Sequence, residues 1–266
     1  MSRRLTWDDL PGEVPTAICV HTGPIHRVEH VDSGFSSQMA VTLDTASGRV
    51  FVKGMRIDHP EAWTQEREAR LSPHVIPLGP RLLWRVAAGG WDLLGFEHLI
   101  GRGAEYGTAS TDLPLVAAAM TAIGRLPRLE VELVPIEQRW GNHLDDLSLL
   151  AGNTLLHTDW NPTNVLITAK GEVRLVDWPW ATRGAAWIDP ACWVVWLIFA
   201  GQTPPEAERW AAKVPAWSTA PARGLDLFAT VQARFWKNTA AAHFSPWTDR
   251  LRAAATRWAA HRASRP

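Results

Sequence analysis

Residues 155–177 of this 266-residue chain read LLHTDWNPTNVLITAKGEVRLVD and contain the polar positions that decide the fold. His157 and Asp159 lie in a polar loop after an apolar strand, Asn164 follows five residues after Asp159, and Asp177 ends another apolar run. Mg²⁺ prefers oxygen ligands on rigid elements and shares its remaining sites with phosphates and water. The segment therefore predicts a divalent-cation site that uses Asn164 and Asp177.

Each of these polar residues alone has a structural explanation, because Asp and Asn are common turn-forming residues. Their order and spacing favour a functional interpretation. A His-x-Asp loop, an Asn five positions on and an Asp after the next strand hairpin resemble the aminoglycoside phosphotransferase and choline kinase branch of the kinase-like superfamily. Protein kinases share the same order of a catalytic Asp, a Mg²⁺-binding Asn and a second metal-binding Asp.

The resemblance implies ATP and Mg²⁺ as cofactors and gives a role to each residue of the motif. Asp159 would accept or orient the proton of the acceptor hydroxyl, and His157 would brace this catalytic loop as a neutral hydrogen-bonding residue. Asn164 and Asp177 would hold the Mg²⁺ that bridges the ATP phosphates. Phosphoryl transfer depends mostly on positioning and charge neutralisation, so few other groups are needed.

An upstream Lys and Glu extend the resemblance. Lys53 ends the apolar sequence VFVK, and Glu68 lies fifteen residues later in a predicted helix. The family pairs such a Lys with such a Glu to hold the ammonium over the phosphates, so both are candidate cofactor-binding residues. The alternatives are a solvent-facing strand position for Lys53 and a solvated helix face for Glu68, since Glu61 and Glu66 share its segment.

A loop before the Lys strand is the candidate phosphate cover. Residues 32–37 read DSGFSS, with one glycine where protein kinases have three. Gly34, Ser36 and Ser37 are candidate cofactor-binding residues, because their amides and hydroxyls could cradle phosphate oxygens. A plain Ser/Gly hairpin turn is the alternative.

Residues 96–99, FEHL, resemble the hinge that presents backbone groups to adenine. Main-chain atoms of Glu97 and Leu99 are the expected contacts, so the identity of these side chains carries little information.

The pattern of elements predicts an α+β, bilobal protein-kinase-like fold. A small N-terminal β-rich lobe with one helix precedes a larger, mainly helical C-terminal lobe, and hydrophobic periodicity distinguishes the strands from the helices. Residues 1–98 are predicted to bind nucleotide, and residues 99–266 to carry catalysis and acceptor binding. The predicted strands are 25–32, 39–45, 49–55, 81–86, 91–96, 154–157, 164–168 and 172–177. The predicted helices are 60–71, 112–126, 135–150 and most of the chain beyond 187, with a buried core helix at 191–200.

Composition excludes some classes of protein. Lys plus Arg total 27 and Asp plus Glu total 27, and this balance argues against a nucleic-acid-binding or membrane-surface protein, which carries a basic excess. The first ten residues lack the apolar region of a secretion signal. Cys19 and Cys192 lie far apart and fit buried thiols in a reducing compartment. These features predict a cytoplasmic protein.

The acceptor is predicted from the segment after the metal-binding Asp. Asp189 follows Asp177 by only twelve residues, which leaves little room for a regulated activation segment or a peptide platform and favours a small-molecule acceptor. Asp189 itself is expected to be a structural acid that anchors the loop.

Charge and aromatic residues bear on the chemistry of that acceptor. Residues 201–266 contain ten basic and four acidic residues, and a positive field would repel a polycation. Trp160, Trp178 and Trp180 flank the motif, and aromatic faces suit flat or sugar-face ligands. A neutral or anionic hydroxyl-bearing molecule, nucleoside-like or sugar-containing, is therefore expected. The alternative is that the Arg residues cover solvent faces and the Trp residues pack the core.

The predicted function is an ATP- and Mg²⁺-dependent small-molecule O-phosphotransferase that moves the γ-phosphoryl group to a hydroxyl of an antibiotic or metabolite, with antibiotic resistance as one biological role. The main alternative is a catalytically silent nucleotide-binding pseudokinase or scaffold. Such scaffolds usually lose a metal or base position, whereas Lys53, Asp159, Asn164 and Asp177 are all present.

Overall fold

The chain forms two compact units. The computed structural model describes residues 5–31, 37–127, 129–141 and 148–265. Unit 1 contains residues 1–101 and 174–179, and unit 2 contains residues 102–173 and 180–266. The chain therefore returns to unit 1 once, for a short segment that includes Asp177.

Unit 1 is built on a five-stranded antiparallel sheet. Its elements in chain order are α1 (Glu13–Thr22), β1 (Ile25–His30), β2 (Met39–Thr45), β3 (Gly48–Arg56), α2 (Trp63–Leu71), β4 (Leu82–Ala88) and β5 (Trp91–Glu97). The strand order is β1-β2-β3-β5-β4, so β3 lies at the centre of the sheet. Apolar side chains from β2, β3 and β5 form a core with Val14 and Ile18 of α1.

Helix α1 was not predicted, and it adds a second helix to the lobe that was expected to have one. Val14, Ile18 and Thr22 are its buried residues, and their spacing of four places them in one stripe. Pro15 lies in the first turn, where its missing N–H removes no helical hydrogen bond. Gly23 ends the helix at a φ of +69°, a conformation that favours glycine.

Unit 2 is mainly helical. Its elements are β6 (Arg102–Gly103), α3 (Leu113–Ile123), α4 (Ile136–Trp140), β7 (Thr154–Leu156), β8 (Val165–Ile167), β9 (Val173–Leu175), β10 (Thr182–Gly184), α5 (Ile188–Phe199), α6 (Pro204–Ala211), α7 (Ala222–Ala242) and α8 (Pro246–Ala263). Strand β9 begins in unit 2 and ends in unit 1, because the chain passes between the units there. Strand β6 pairs antiparallel with β8, and β7 pairs antiparallel with β10.

Helix α5 is the buried centre of unit 2. Every residue from Ile188 to Ile198 is buried, which confirms the predicted core helix and explains its apolar sequence on all sides. The prolines of the C-terminal third mark helix starts: Pro204 and Pro246 begin α6 and α8, and Pro221 precedes α7. Proline is favoured there because the first helical N–H groups have no partner within the helix.

The α+β class, with a β-rich N-terminal part and a mainly helical C-terminal part, is confirmed. The predicted helix 135–150 is confirmed only near its start within the described residues. Only Ile136–Trp140 is α-helical, Ser148–Leu150 forms a 3-10 turn, and residues 142–147 lie outside the described residues. The division of labour between residues 1–98 and 99–266 stays a prediction. Among the described helices, none combines the length and apolarity needed to cross a membrane.

Candidate active site

Lys53 lies in the interior of unit 1. It projects from β3 with only 5% of its surface exposed, so the solvent-facing alternative is excluded. Its ammonium forms an ion pair with Glu68 of α2, and its Nζ lies 3.0 Å from Oδ1 of Asp177. The same ammonium lies 5.7 Å from the centre of the Phe96 ring. Three residues far apart in the sequence therefore meet in one cluster, in which Lys53 and Glu68 are buried and Asp177 is half-buried.

The charge of this cluster is defined by its neighbours. Burial alone would lower the pKa of Lys53, but the carboxylates of Glu68 and Asp177 outweigh burial and hold that pKa above its usual value. The ammonium therefore stays charged. Burial also raises the pKa of Glu68. Two acidic side chains, Glu68 and Asp177, therefore face this single ammonium.

The structure distinguishes Glu68 from its acidic neighbours. Glu68 is 3% exposed, and its Oε1 accepts the backbone N–H of Trp178 at 3.2 Å. Glu66 instead forms ion pairs with Arg70 and Arg85 in a half-exposed position. Glu61 is exposed and precedes α2. Of these three acids, Glu68 is the one that pairs with Lys53.

Asp177 occupies a strained position directly after β9. Its φ is +66°, a left-handed conformation that costs a non-glycine residue about 1–3 kcal/mol. Trp178, the next residue, is held through both its backbone and its side chain. Its backbone N–H donates to Oε1 of Glu68, and its indole Nε1 donates to the Leu175 carbonyl at 2.9 Å. The chain therefore holds the Asp177 carboxylate against Lys53 despite the backbone cost.

The predicted hinge and phosphate loop are only partly described. The Glu97 N–H donates to the Arg81 carbonyl at 2.9 Å, so an adenine contact from Glu97 would have to use its carbonyl oxygen. Leu99 is half-buried. Gly34 and Ser36 lie outside the described residues, and Ser37 is half-buried.

In unit 2, Asp159 follows a loop that β7 positions. His157 is buried, and its Nδ1 accepts the backbone N–H of Asp159 at 3.3 Å. A ring nitrogen that accepts a hydrogen bond carries no proton, which agrees with a neutral bracing role. Asn164 donates from Nδ2 to Oδ2 of Asp159 at 2.9 Å. The two residues that the motif separates by five positions are therefore hydrogen-bonded.

Asn164 itself is held by a short turn. It is 6% exposed and ends the 3-10 turn Pro162–Asn164, and the side chain of Asn161 accepts the Thr163 N–H at the start of that turn. The amide nitrogen of Asn164 donates to Asp159, which leaves its amide oxygen as the atom able to accept. That oxygen is the atom suited to a hard cation.

Asp189 anchors the loop, as expected. Its two carboxylate oxygens accept the backbone N–H groups of His157 at 3.0 Å and Thr158 at 2.8 Å. Burial raises the pKa of Asp189 to about 6. Thr158 has a φ of +65°, so Asp189 binds the loop at a residue with a strained backbone.

Arg139 contacts the same loop, although no sequence motif indicated it. From α4 its Nη1 donates to the Thr158 hydroxyl and to the Trp180 carbonyl. Its guanidinium also lies 5.3 Å from the ring centres of Trp140 and Trp180. No spacing relates Arg139 to the motif, so only the tertiary structure reveals the contact.

The expectation that tryptophan faces line the site is wrong for two of the three residues. Trp160 and Trp178 are 0% and 2% exposed, so their rings pack the interior of their units. Trp180 is half-buried, and Arg139 occupies one of its faces. Proximity to the motif in sequence did not predict exposure in the structure.

The donors fit Mg²⁺ of the kind that binds together with a nucleotide. Within the described ranges, no group of three or more His, Cys, Asp or Glu side chains is arranged to hold a metal ion. Mg²⁺ usually binds through one or two carboxylates, with waters and substrate phosphates completing its shell. Asp177 offers a carboxylate in unit 1, and Asn164 offers an amide oxygen in unit 2.

No protein-family model and no curated protein matches this sequence. Solved structures do match. Choline kinase LicA from Streptococcus pneumoniae has a TM-score of 0.63 at 14% identity, covering 93% of this chain and 98% of that one. The chain has the kinase-like fold.

Two further structures share this fold. A thermostable mutant of aminoglycoside phosphotransferase APH(4)-Ia, in ternary complex with AMP-PNP and hygromycin B, has a TM-score of 0.59 at 16% identity, over 92% of this chain and 98% of that one. Macrolide 2'-phosphotransferase MphH from Brachybacterium faecium has a TM-score of 0.54 at 15% identity, over 91% and 95%. The structural neighbours agree with the resemblance predicted from the motif.

Proposed function

We propose that this protein is an ATP- and Mg²⁺-dependent O-phosphotransferase that transfers the γ-phosphoryl group to a hydroxyl of a small molecule. The observation that carries the proposal is the buried cluster of Lys53, Glu68 and Asp177. A charged ammonium that is 5% exposed needs a reason to be retained, since removing charges from water is costly. Binding phosphate oxygens next to a divalent cation supplies that reason.

Unit 1 supplies the nucleotide side of the reaction. Lys53 offers its positive charge to phosphate oxygens, and Glu68 fixes the direction of the ammonium. Mg²⁺, when bound, would neutralise phosphate charge, with Asp177 and Asn164 as its protein ligands.

Unit 2 supplies the acceptor side. The acceptor hydroxyl oxygen attacks the γ-phosphorus, its proton passes to the Asp159 carboxylate, and the bond to the bridging oxygen breaks so that ADP leaves. His157 and Asn164 hold Asp159 in place through the hydrogen bonds described above.

The acceptor class is a hydroxylated antibiotic or metabolite. The similar structures are named for choline, aminoglycoside and macrolide substrates, and one contains hygromycin B. The basic excess of residues 201–266 does not narrow this class, because Arg250 and Arg257 donate to the carbonyls of Phe199 and Ile198 at the end of α5. The first acceptors to test are therefore sugar-containing compounds, nucleosides and choline.

A cytoplasmic location is part of the proposal. Cys192 is buried, Cys19 is half-buried, and both are free thiols, which suits a reducing compartment.

The test is a panel of hydroxylated compounds incubated with Mg-ATP, with products measured by mass spectrometry. We expect one compound to gain a single phosphoryl group, and the Asp159→Asn variant to lose that product. Asp249→Asn is the matched control, because Asp249 is a half-exposed acid paired with Arg252. A parent protein that neither binds Mg-ATP nor releases ADP would overturn the proposal. Tight Mg-ATP binding without transfer or ADP release would favour the pseudokinase alternative.

A further inference from the structure

Arg139 joins three segments of unit 2 at the catalytic loop. We propose that Arg139 is a positioning residue that holds Thr158 in its left-handed conformation and thereby fixes the orientation of Asp159. The inference rests on the proposed function of Asp159. It assigns a role to a residue that lies outside every motif of the sequence.

The contacts form a closed hydrogen-bonded triangle. One nitrogen of the Arg139 guanidinium donates to the Thr158 hydroxyl and to the Trp180 carbonyl. The Thr158 hydroxyl donates in turn to the Trp180 carbonyl at 3.1 Å. The two hydrogens of the guanidinium nitrogen and the two lone pairs of the carbonyl are all used.

The triangle acts on a strained residue. Thr158 has a φ of +65°, which costs a β-branched residue about 1–3 kcal/mol unless surrounding contacts enforce it. A carboxylate oxygen of Asp189 accepts the backbone N–H of Thr158 at 2.8 Å, and Arg139 donates to the Thr158 hydroxyl. Thr158 is therefore fixed by both its backbone and its side chain, and Asp159 is the next residue.

The support of Arg139 is rigid. Ile136 and Trp140 of α4 are 0% and 2% exposed, and the Trp140 ring packs edge-on against Phe228 at 5.0 Å. The start of α4 is tied to β10, because the Arg183 N–H donates to the Val134 carbonyl at 3.1 Å. A guanidinium on such a base can hold a loop in a fixed position.

The consequence for activity follows from the position of Thr158. Without Arg139, the Thr158 hydroxyl loses one partner and the strained backbone can relax. A displacement of about 1 Å at a catalytic group can cost about 100-fold in rate. Arg139 belongs to unit 2, whereas Lys53, Glu68 and Asp177 belong to unit 1, so we expect nucleotide affinity to change little.

The test compares Arg139→Met, Arg139→Lys and Arg139→Ala with the parent chain. Arg209→Met is the matched control, because Arg209 is exposed and pairs only loosely with Glu206 at 3.9 Å. Amide hydrogen exchange is measured for the peptide 155–161, together with basal ADP release from Mg-ATP and Mg-ATP affinity. Guanidinium at millimolar concentration is added to Arg139→Ala.

We expect Arg139→Met to exchange the amides of residues 157–159 at least tenfold faster. Exchange in β2 and β3 should be unchanged, and Mg-ATP affinity should stay within about twofold. Basal ADP release should fall about 10- to 100-fold, with Arg139→Lys intermediate and added guanidinium restoring part of the Arg139→Ala rate.

Unchanged exchange at residues 157–159, or parent-level ADP release in Arg139→Met, would overturn the inference. The inference is also contradicted if added guanidinium neither slows amide exchange at residues 157–159 nor raises ADP release in Arg139→Ala. If the parent itself neither binds Mg-ATP nor releases ADP, the proposed function fails, and the exchange measurement still decides whether Arg139 orders the loop.

Discussion

The two groups of candidate residues are held in place by different forces. In unit 1, Lys53, Glu68 and Asp177 are distant in sequence and meet through charge contacts between buried side chains. In unit 2, Asp159 lies in a short loop that side chains hold mainly through hydrogen bonds to backbone N–H groups. Removing a member of the first group should therefore cost stability, because a buried charge loses its partner. Removing a member of the second should cost geometry and hence activity.

The largest effect is expected for Asp159→Asn. The change removes the proton acceptor, so phosphoryl transfer should fall by about 10²- to 10⁴-fold, while the free energy of unfolding changes by less than about 1 kcal/mol. Transfer is measured by the mass of the product, and stability by urea unfolding. Transfer within a few-fold of the parent, or a large loss of stability, would break the contrast between the two groups.

The next effect distinguishes the members of the unit 1 cluster. Lys53→Met leaves the buried carboxylate of Glu68 and the half-buried carboxylate of Asp177 without their cation. We expect a loss of about 3–5 kcal/mol in the free energy of unfolding. Glu68→Gln leaves Lys53 paired with Asp177 and should cost only about 1–2 kcal/mol. Glu66→Gln, in a half-exposed ion pair, is the control and should cost less than about 1 kcal/mol. If urea unfolding shows a larger loss of stability for Glu68→Gln than for Lys53→Met, this order is contradicted.

A smaller effect depends on pH. Burial raises the pKa of Asp189 to about 6, above its value in the unfolded chain, so the folded state binds more protons than the unfolded state between about pH 4 and 6. The contribution of Asp189 to stability is therefore greatest at low pH and declines as the pH rises through 6. Relative to Asp189→Asn, the parent should lose on the order of 1 kcal/mol between pH 5 and 7. If the difference in the free energy of unfolding between the parent and Asp189→Asn stays constant over this range, Asp189 titrates at a pH outside it.

The smallest effect concerns the basic C-terminal part. Arg257 donates to the Ile198 carbonyl at 3.0 Å, at the end of α5 where a cation complements the helix dipole. Arg257→Met should cost about 0.5–1 kcal/mol and leave the choice of acceptor unchanged. Stability is measured by urea unfolding and acceptor choice by the product panel. If Arg257→Met phosphorylates a different acceptor from the parent at unchanged stability, the positive charge of this region does select the substrate.

The fold class and the positions of the motif were accessible from the sequence because both depend on local patterns. Strand and helix periodicity predicted the sheet of unit 1 and the buried α5. The spacing of Asp159 and Asn164 corresponds to a single turn, which brings their side chains within 2.9 Å. Lys53 and Glu68 could be paired only through the resemblance, since no local rule joins a strand to a helix fifteen residues later.

Three features could not be derived because they depend on tertiary contacts. Arg139 reaches Thr158 across nineteen residues, and an Arg in the sequence EQRW resembles any helical surface residue. The burial of Trp160 and Trp178 follows from packing rather than from position beside the motif. A count of basic residues did not show that some of them bind carbonyl groups at the end of α5. Helix α1 was missed because Pro15 obscures its pattern of buried residues.

The most direct test of the central claim is the affinity for ATP with and without Mg²⁺, measured by calorimetry for the parent, Asp177→Asn and Asn164→Leu. Asp177 and Asn164 are the two proposed ligands of the Mg²⁺ that accompanies ATP. We expect Mg²⁺ to tighten ATP binding by the parent and each variant to lose most of this increment. If both variants keep the full effect of Mg²⁺, neither residue binds the metal, and the proposed magnesium site is contradicted.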